Sequence, residues 1–336
     1  MRLGTVRIHG GAPRAVGLVD GHVIDLGEAA FDLGLIGTTF PGSVRELLEL
    51  KPYTDPLIAD LERAVLGRDD VGSAPWAYSL DEVTFMAPVA PGKVLLVGGN
   101  HQGSQTQPIK PEIQDEWPRP MYFMKPGSSV LGHGGTVDAW QVMRPVHTEG
   151  EVCLIIGRTA RHVSRADAWS VVAGVSLLND MFAGRFVLQD GTTLFIRTAV
   201  GQPREEMVTR QMVRSKSPDG MCPIGPWLVP VADLGRPFED INVVTTVGPN
   251  LVQKGTISDY QFSAEWIIEE ITKWITLQPG DVVSLGCFTH QPDFPLRSVD
   301  LAAPENRVVA ITADELGTLE TKLHLVDEEQ SQPMPH

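Results

Sequence analysis

The chain has little cysteine and no long apolar run, and each of these absences excludes a class of protein. Only Cys153, Cys222 and Cys287 occur in 336 residues, widely spaced, which argues against a disulfide framework and favours a reducing compartment. No stretch of about 18 apolar residues is found, and the N-terminus lacks the apolar segment of a secretory signal. The sequence therefore predicts a cytoplasmic protein that does not enter a membrane.

Positive charge is also scarce. The 27 lysine and arginine residues face 42 aspartate and glutamate residues, which gives a net charge of −15. This balance disfavours nucleic acid or an anionic membrane as a partner. An acidic surface does not exclude an anionic substrate, because a metal ion and a lysine can dominate the field within one pocket.

The pattern along the chain predicts three parts. Residues 1–88 are predicted to form a small N-terminal domain, residues 89–326 a larger domain, and residues 327–336 a polar, frayed tail. Local signals predict the following elements: strands at 6–8, 15–19 and 22–26, helices at 43–50 and 56–66, a long polar loop at 100–120, a helix opened by a capping box at Ser164–Asp167, and an amphipathic helix at Ser263–Leu277 with Trp266, Ile267, Ile271, Trp274 and Ile275 on its apolar stripe.

Two carboxylates lie one residue apart in the run T-E-G-E-V-C-L-I-I-G at 148–157, namely Glu149 and Glu151. On a β-strand, side chains at i and i+2 leave the same face about 7 Å apart, close enough to bind one cation. Such a pair also occurs on the solvated face of an amphipathic strand. Here Val152 and the residues after it show no polar alternation, which favours a strand buried on both faces.

Buried like charges repel each other unless a positive group lies between them. A third acid, Asp180, ends the next strand-like run, V-A-G-V-S-L-L-N-D. Three carboxylates without thiolate or imidazole favour a hard divalent ion, Mg²⁺ or Mn²⁺, over zinc. Glu149, Glu151 and Asp180 are therefore the predicted metal ligands.

Several segments, taken in order, match one known family. They are V-G-G-N (97–100), F-M-K-P (123–126), T-E-G-E-V-C-L-I-I-G-R (148–158), G-V-S-L-L-N-D (174–180), K-S-P-D-G-M-C-P-I-G-P-W-L-V (216–229) and L-Q-P-G-D-V-V-S-L-G (277–286). With this order and spacing, the sequence resembles the fumarylacetoacetate hydrolase superfamily from about Lys93 to Leu325.

The resemblance implies a β-rich α+β fold, with a mixed β-roll or sandwich catalytic domain and a small N-terminal α/β domain, usually in a homodimer or larger assembly. It implies Mg²⁺ or Mn²⁺ on Glu149, Glu151 and Asp180, with Lys216 beside the metal and facing the substrate oxygens. It also implies a 2-oxo or β-diketo acid as substrate. Hydrolysis of a C–C bond in a 2,4-dioxo acid is the first expectation, and decarboxylation, hydration or isomerisation of a 2-oxo acid is the alternative. A binding protein without catalysis is a third possibility.

The sequence departs from the family pattern where the substrate is expected. Ser104 and Gln107 occupy the positions of the usual His and Glu dyad that activates the hydrolytic water. Gly184 occupies the position of an expected arginine, with Arg185 next to it, and Gly286-Cys287-Phe288 replaces a G-T-P segment. The metal ligands are retained while the residues around the substrate differ.

A hydrolytic reaction needs another base within hydrogen-bond reach of water. His101, which follows Asn100 directly, is the first candidate, and His290 is the second candidate and a substitute substrate contact. Arg185 and Cys287 are further predicted substrate contacts, and His147 is predicted to orient a metal ligand. Three acids of the polar loop, Glu112, Asp115 and Glu116, complete the set of candidate bases.

Overall fold

The computed structural model describes residues 1–101, 120–196, 204–209, 212–291 and 303–327, and for 191–196 and 204–209 it describes the backbone alone. The loop predicted at 100–120 and the tail predicted at 327–336 fall almost entirely outside these ranges. So do five residues of the base analysis: Ser104, Gln107, Glu112, Asp115 and Glu116.

Strands are the most numerous elements of the described chain. The first eleven are β1 (Arg2–Ile8), β2 (Pro13–Val19), β3 (His22–Asp25), β4 (Ala77–Tyr78), β5 (Val83–Phe85), β6 (Val94–Gly98), β7 (Met121–Lys125), β8 (Val130–Leu131), β9 (Thr136–Trp140), β10 (Val146–His147) and β11 (Gly150–Ile156). The next ten are β12 (Val172–Asn179), β13 (Phe182–Ala183), β14 (Gly191–Ile196), β15 (Arg204–Thr209), β16 (Cys222–Val229), β17 (Asn242–Val247), β18 (Asn250–Thr256), β19 (Val282–Cys287), β20 (Val308–Ala313) and β21 (Gly317–Val326).

Helices are fewer and mostly short. The α-helices are α1 (Leu26–Asp32), α2 (Val44–Glu49), α3 (Lys51–Leu66), α4 (Gly184–Asp190), α5 (Met212–Lys216) and α6 (Ala264–Trp274). The 3₁₀ helices are Val71–Ser73, Leu80–Glu82, Gly127–Ser129, Gln141–Met143, Arg165–Val171, Val231–Asp233, Phe238–Asp240, Ile257–Asp259 and Pro304–Arg307. Among the described residues, every helix is too short or too polar to cross a bilayer.

Two large sheets form the framework. The larger one has 12 strands in the order β4-β3-β2-β1-β16-β12-β11-β19-β6-β7, with β5 also on β1 and β8 also on β16. The smaller one has five, in the order β18-β17-β20-β21-β9. They lie against each other where β11 contacts β17, β12 contacts β20 and β16 contacts β21. The predicted β-rich α+β fold class is therefore confirmed.

The N-terminal strands join the larger sheet directly. Strand β1 pairs with β16 in antiparallel fashion, with Leu3 opposite Leu228. Both leucines belong to one apolar core that also contains Leu47 of α2 and Ile155 of β11. Pairing and packing thus cross the predicted boundary at residue 88, and the division into two domains stays a prediction.

Strand β11 is buried along its whole length, as the sequence predicts. Alternate residues enter two different cores: Val152 and Leu154 lie in the core that contains α6, and Cys153 and Ile155 lie in the core that contains α2. Two apolar surroundings therefore explain why the run after Glu151 shows no polar alternation.

Two helix predictions need correction. The segment after Ser164 is a 3₁₀ helix, and the predicted capping box is absent: the Ser164 hydroxyl donates to the Asp167 carboxylate at 2.7 Å, and no side chain caps a backbone N–H. Helix α6 begins after Ser263 as expected, but it ends at Trp274, whose side chain is 62% exposed. The Trp274 indole leaves the apolar stripe and donates to Glu270 Oε1 at 3.2 Å.

Candidate metal centre

The three predicted acids meet at the end of the β11–β12 pair. Glu149 directly precedes β11, Glu151 is its second residue, and Asp180 directly follows β12. The antiparallel register places Gly150 opposite Asn179, and the Asp180 N–H donates to the Glu149 carbonyl at 2.9 Å. One oxygen from each carboxylate lies within 4.8 Å of the others, and all three side chains are buried.

Asn179 holds the turn that carries Glu149. Its Oδ1 accepts from the Thr148 hydroxyl at 2.7 Å and from the Glu149 N–H at 3.2 Å. Asn179 is fully buried, so water does not compete for these bonds. The first carboxylate is therefore attached to the same β12 end that supplies Asp180.

Lys216, the last residue of α5, lies against two of the acids. Its Nζ is 2.5 Å from Glu149 Oε2 and 2.5 Å from Asp180 Oδ2. Burial alone would lower the pKa of Lys216, but attraction to Asp180 and Glu149 outweighs it and raises the pKa above its ordinary value of 10.5. In this metal-free arrangement Lys216 is therefore an ammonium ion at neutral pH.

Aromatic rings cover the other side of this ammonium group. The Lys216 Nζ lies 4.3 Å from the ring centre of Phe182 and 5.4 Å from that of Phe123. Ring faces attract a cation and limit the access of water. The Lys216 charge is thus held in a partly apolar pocket beside the acids.

A second lysine, Lys125 at the end of β7, was not assigned a role from the sequence. Its side chain is fully buried, and its Nζ lies 2.6 Å from Asp180 Oδ1. The ammonium also donates to the Met181 carbonyl at 2.8 Å and to the Met221 carbonyl at 2.6 Å. Two of its three N–H donors are thus used by backbone carbonyls, and its charge is paired with Asp180. Lys125 therefore fixes Asp180 from the side opposite Lys216.

Glu151 receives less compensation than the other two acids. The Ser284 hydroxyl on β19 donates to its carboxylate. Burial, and then repulsion from Asp180 and Glu149, raise the pKa of Glu151 well above its ordinary value of 4.5. Its charged form therefore lacks a sufficient positive partner in this arrangement.

These residues fit a divalent cation. Two ammonium groups face three carboxylates, so these five side chains carry one excess negative charge. The unfavourable ionisation of Glu151 is relieved by any cation placed between the acids, and three carboxylate oxygens suit Mg²⁺ or Mn²⁺. The chemistry of the donor set thus supports the metal assignment made from the sequence.

The segment predicted to contact substrate lies next to this cluster. Cys287 is the β19 residue opposite Glu151, and it is buried. Two residues further on, Thr289 Oγ1 lies 3.4 Å from Nδ1 of His101. His290 is half-buried and forms an isolated bridge with Gln253 of β18. The structure therefore brings three predicted residues, Cys287, His101 and His290, to one short segment at the end of β19.

Asn100 places His101 there. It is fully buried, and its side chain donates to the carbonyls of Leu285 and Phe262 at 2.7 and 3.1 Å while accepting from the Phe262 N–H at 2.8 Å. These bonds join the chain after β6 to β19 and to the segment before α6. The position of His101 is thus set by its buried neighbour.

Two other predicted residues lie further from the acids. His147 stacks on Phe182, with ring centres 4.6 Å apart, and Phe182 in turn contacts Lys216. Arg185 is exposed in the first turn of α4. His147 thus packs on Phe182, an aromatic ring that contacts Lys216. The roles of His147 and Arg185 stay predictions.

Sequence reasoning missed Lys125 and Ser284. The signal for Lys125 was present in F-M-K-P, where a lysine ends a short apolar strand, and Ser284 is the polar residue within the apolar run V-V-S-L-G. Both side chains are fully buried. A polar residue inside a buried strand requires a partner, but the sequence does not show which residue that partner is.

Comparison with known proteins supports the family resemblance. Residues 91–324 match the family model described as fumarylacetoacetate (FAA) hydrolase, C-terminal. The chain is 32% identical over 325 residues to an oxaloacetate tautomerase, YisK, of Bacillus subtilis strain 168, an alignment that covers 92% of this chain and 95% of the relative.

Solved structures show the same fold. Maleylpyruvate hydrolase from Sphingobium sp. SYK-6, solved with manganese(II) and pyruvate, superposes with a TM-score of 0.67 at 24% identity, covering 97% of this chain and 99% of that one. A 5-carboxymethyl-2-hydroxymuconate delta-isomerase from Mycobacterium smegmatis gives 0.63 at 22% identity, with coverage of 97% and 99%. At these identities the likeness establishes the fold alone.

The Lys125→Met substitution should destabilise the protein strongly. It leaves the Met181 and Met221 carbonyls without their donor and removes one of the two positive partners of Asp180, and breaking a buried ion pair costs about 3–5 kcal/mol. Urea denaturation measures the free energy of unfolding, with Lys51→Met on the exposed face of α3 as the control. A loss below about 1 kcal/mol would contradict this account of the Lys125 contacts.

The Glu151 carboxylate should make stability depend on pH. Because its folded pKa is raised, the folded state retains a proton that the unfolded state releases, and stability falls as pH rises from about 4.5 through the folded pKa. Glu151→Gln carries no such proton and should flatten this part of the pH profile in metal-free protein. Denaturation at a series of pH values tests this, with the exposed Glu49→Gln as the control. Identical pH slopes for wild type and Glu151→Gln would show that Glu151 is ionised throughout.

Proposed function

Because the chain belongs to the fumarylacetoacetate hydrolase family, we propose that it is a divalent-metal-dependent enzyme that interconverts the enol and keto forms of a short 2-oxo acid. Oxaloacetate is the first substrate to test, since the tautomerase of B. subtilis aligns over most of both chains. The observation that carries the proposal is a buried lysine whose ammonium group contacts two members of a buried cluster of three acids.

Glu149, Glu151 and Asp180 would hold the metal ion. Bound there, Mg²⁺ or Mn²⁺ supplies Lewis-acid chemistry that polarises the oxygens of a 2-oxo acid and favours its enolate. Lys216 adds a fixed positive charge beside the same position, where negative charge develops as a proton leaves carbon. Phe123 and Phe182 shield that charge from water, which strengthens its effect.

A tautomerase must move one proton between carbon and oxygen. Lys216 is engaged by the Glu149 and Asp180 carboxylates, so we do not assign the proton transfer to it. We assign proton transfer to His101, which the buried Asn100 and the contact with Thr289 place beside the segment that follows Cys287. His290, on the same segment, is the second candidate for this role and for a contact with the substrate carboxylate.

Tautomerisation is preferred to hydrolysis because it needs no activated water. The two positions of the hydrolytic dyad hold Ser104 and Gln107, and neither side chain is a useful base near neutral pH. Cleavage of a C–C bond in a 2,4-dioxo acid, the first expectation from the sequence, is the second candidate function. It is retained because the resemblance of the sequence to the family implies it.

Further expectations from the sequence belong to this proposal. A homodimer is expected from the family resemblance, and light scattering on the purified protein measures it. A cytoplasmic location follows from the sparse cysteine content. The division at residue 88 and the substrate contacts of Arg185 and Cys287 are also part of the proposal.

The activity is tested by proton exchange. In D₂O with Mg²⁺ or Mn²⁺, wild type should accelerate the loss of the ¹H NMR signal at C3 of oxaloacetate above the spontaneous rate. Glu149→Gln and Asp180→Asn should lose both stoichiometric Mn²⁺ binding and the acceleration, because each removes a charged ligand. The exposed Asp55→Asn in α3 is the matched control. If metal-loaded wild type exchanges the C3 protons no faster than the spontaneous rate, the proposal is wrong. It is also wrong if both variants bind Mn²⁺ fully.

Product analysis separates the competing reactions. A hydrolase converts a 2,4-dioxo acid into two fragments, and a decarboxylase releases CO₂. Tautomerisation yields neither, so exchange without fragments or gas identifies it.

The role of His101 predicts a specific loss. His101→Asn should lower kcat for exchange by about 100-fold or more, the usual contribution of a positioned acid or base, while Mn²⁺ affinity stays unchanged. The exposed His324→Asn controls for the general loss of an imidazole. A kcat close to that of wild type, with an unaltered pH profile, would exclude His101 from proton transfer.

A further inference from the structure

One buried amide joins the acidic cluster to the segment that follows Cys287. Gln253 on β18 is 1% exposed. Its Oε1 accepts from the Gly150 N–H at 2.7 Å, and its Nε2 donates to the Phe288 carbonyl at 2.9 Å. Gly150 lies between Glu149 and Glu151, and Phe288 directly follows Cys287. A side chain of the smaller sheet thus contacts both functional segments of the larger one.

The close approach at Gly150 shows how tightly this contact is built. A Cβ at Gly150 would lie 2.0 Å from the Thr245 hydroxyl, 3.3 Å from Gln253 Oε1 and 3.3 Å from a side-chain carbon of Ile311. These residues belong to β17, β18 and β20, three strands of the smaller sheet. The backbone between the two glutamates therefore rests directly on that sheet, and only glycine fits there.

The two bonds require opposite functions from one side chain. The Gly150 N–H needs an acceptor, and the Phe288 carbonyl needs a donor. Glutamine supplies both in one orientation, and its full burial removes competing water. Each bond fixes a backbone group next to a functional residue: Gly150 adjoins both glutamates, and Phe288 adjoins Cys287.

The neighbouring backbone extends the same attachment. Gln253 forms an isolated antiparallel bridge with His290, and the Gln291 N–H donates to the Val252 carbonyl at 2.9 Å. On the other side, the Phe288 ring stacks on Tyr260 with centres 5.0 Å apart, and the Tyr260 hydroxyl donates to the Gly286 carbonyl at 2.6 Å. Residues 286–291 are thus contacted both by β18 and by Tyr260. The Gln253 amide connects this segment to Gly150.

We propose that Gln253 is a positioning residue that sets the metal-binding carboxylates and the substrate-facing segment 287–290 relative to each other. This inference rests on the proposed function and deepens it. Gln253 touches neither the metal position nor the substrate. It acts through the Gly150 N–H on Glu149 and Glu151, and through the Phe288 carbonyl on Cys287 and His290.

The test compares Gln253→Met with the neighbouring Val252→Ala. Methionine has a similar length but neither accepts from Gly150 nor donates to Phe288 as an amide does. Mn²⁺ binding, titrated calorimetrically on full-length protein without substrate, should weaken about 10- to 100-fold in Gln253→Met, the usual effect of losing a residue that orients a ligand. Val252→Ala creates a cavity on the same strand and should lower Tm without changing Mn²⁺ affinity.

A second variant, Gln253→Glu, tests the bond to Gly150 and the bond to Phe288 separately. It also provides a test of the positioning role if Gln253→Met does not fold. It keeps an oxygen for Gly150 and, once ionised, lacks the N–H that Phe288 needs. Mn²⁺ affinity should therefore be retained, while KM for the 2-oxo acid rises.

The outcomes distinguish this inference from the proposed function. If wild type binds Mn²⁺ and Gln253→Met binds it equally well, or if Val252→Ala weakens binding as much as Gln253→Met, the positioning role of Gln253 is overturned and the proposed function stands. Loss of Mn²⁺ affinity in Gln253→Glu likewise overturns the separation of the two bonds. If wild type itself binds neither Mn²⁺ nor Mg²⁺, both fail.

Discussion

Mutual repulsion among three buried carboxylates is the constraint on which the arrangement of the rest of the site depends. Glu149, Glu151 and Asp180 converge because β11 and β12 pair in one register and the Asp180 N–H donates to the Glu149 carbonyl. Taking such charges out of water is costly without cations. Lys125 and Lys216 supply two, one on each oxygen of Asp180. When all three acids are ionised, one negative charge remains without a positive partner. This charge is the physical reason to expect a metal ion.

Holding that cluster requires both sheets. The larger sheet supplies the acids and Lys125. At Gly150, however, β11 of this sheet lies directly on the smaller sheet, where Thr245 and Gln253 leave no room for a side chain. The glycine in T-E-G-E is therefore a packing requirement set by strands almost 100 residues later in the chain. The position of the carboxylates depends on how the two sheets pack, and a single strand is not sufficient to define it.

This dependence also explains what could be predicted from the sequence. Glu149, Glu151 and Asp180 were identified because they lie in or directly after apolar runs, where a buried charge is conspicuous, and the family resemblance pointed to Lys216. The structure brings all four together. Lys125, Ser284 and Gln253 were missed because each looks ordinary in its local sequence and gains its role only from partners at least 35 residues away. Helix ends behaved similarly: Ser263 caps α6, a role not assigned from the sequence, while the Ser164 hydroxyl, predicted to cap a helix, donates to the Asp167 carboxylate.

The division between a shared metal cluster and a variable segment bears on the reaction itself. Stabilising an enolate serves tautomerisation, decarboxylation and C–C cleavage alike, so the acids and Lys216 alone do not select among them. Selection must come from groups that deliver a proton or a water molecule to carbon. Among the residues that the structure describes, His101 and the segment 286–290 are the candidates proposed for this role, and that segment departs from the family pattern at Gly286-Cys287-Phe288. The buried Gln253 amide bonds both the Gly150 N–H and the Phe288 carbonyl. It therefore links the segment 286–290 to the segment that carries Glu149 and Glu151. A change in reaction could therefore evolve by substitution along 286–290 while the Gln253 contact keeps the register between proton donor and metal.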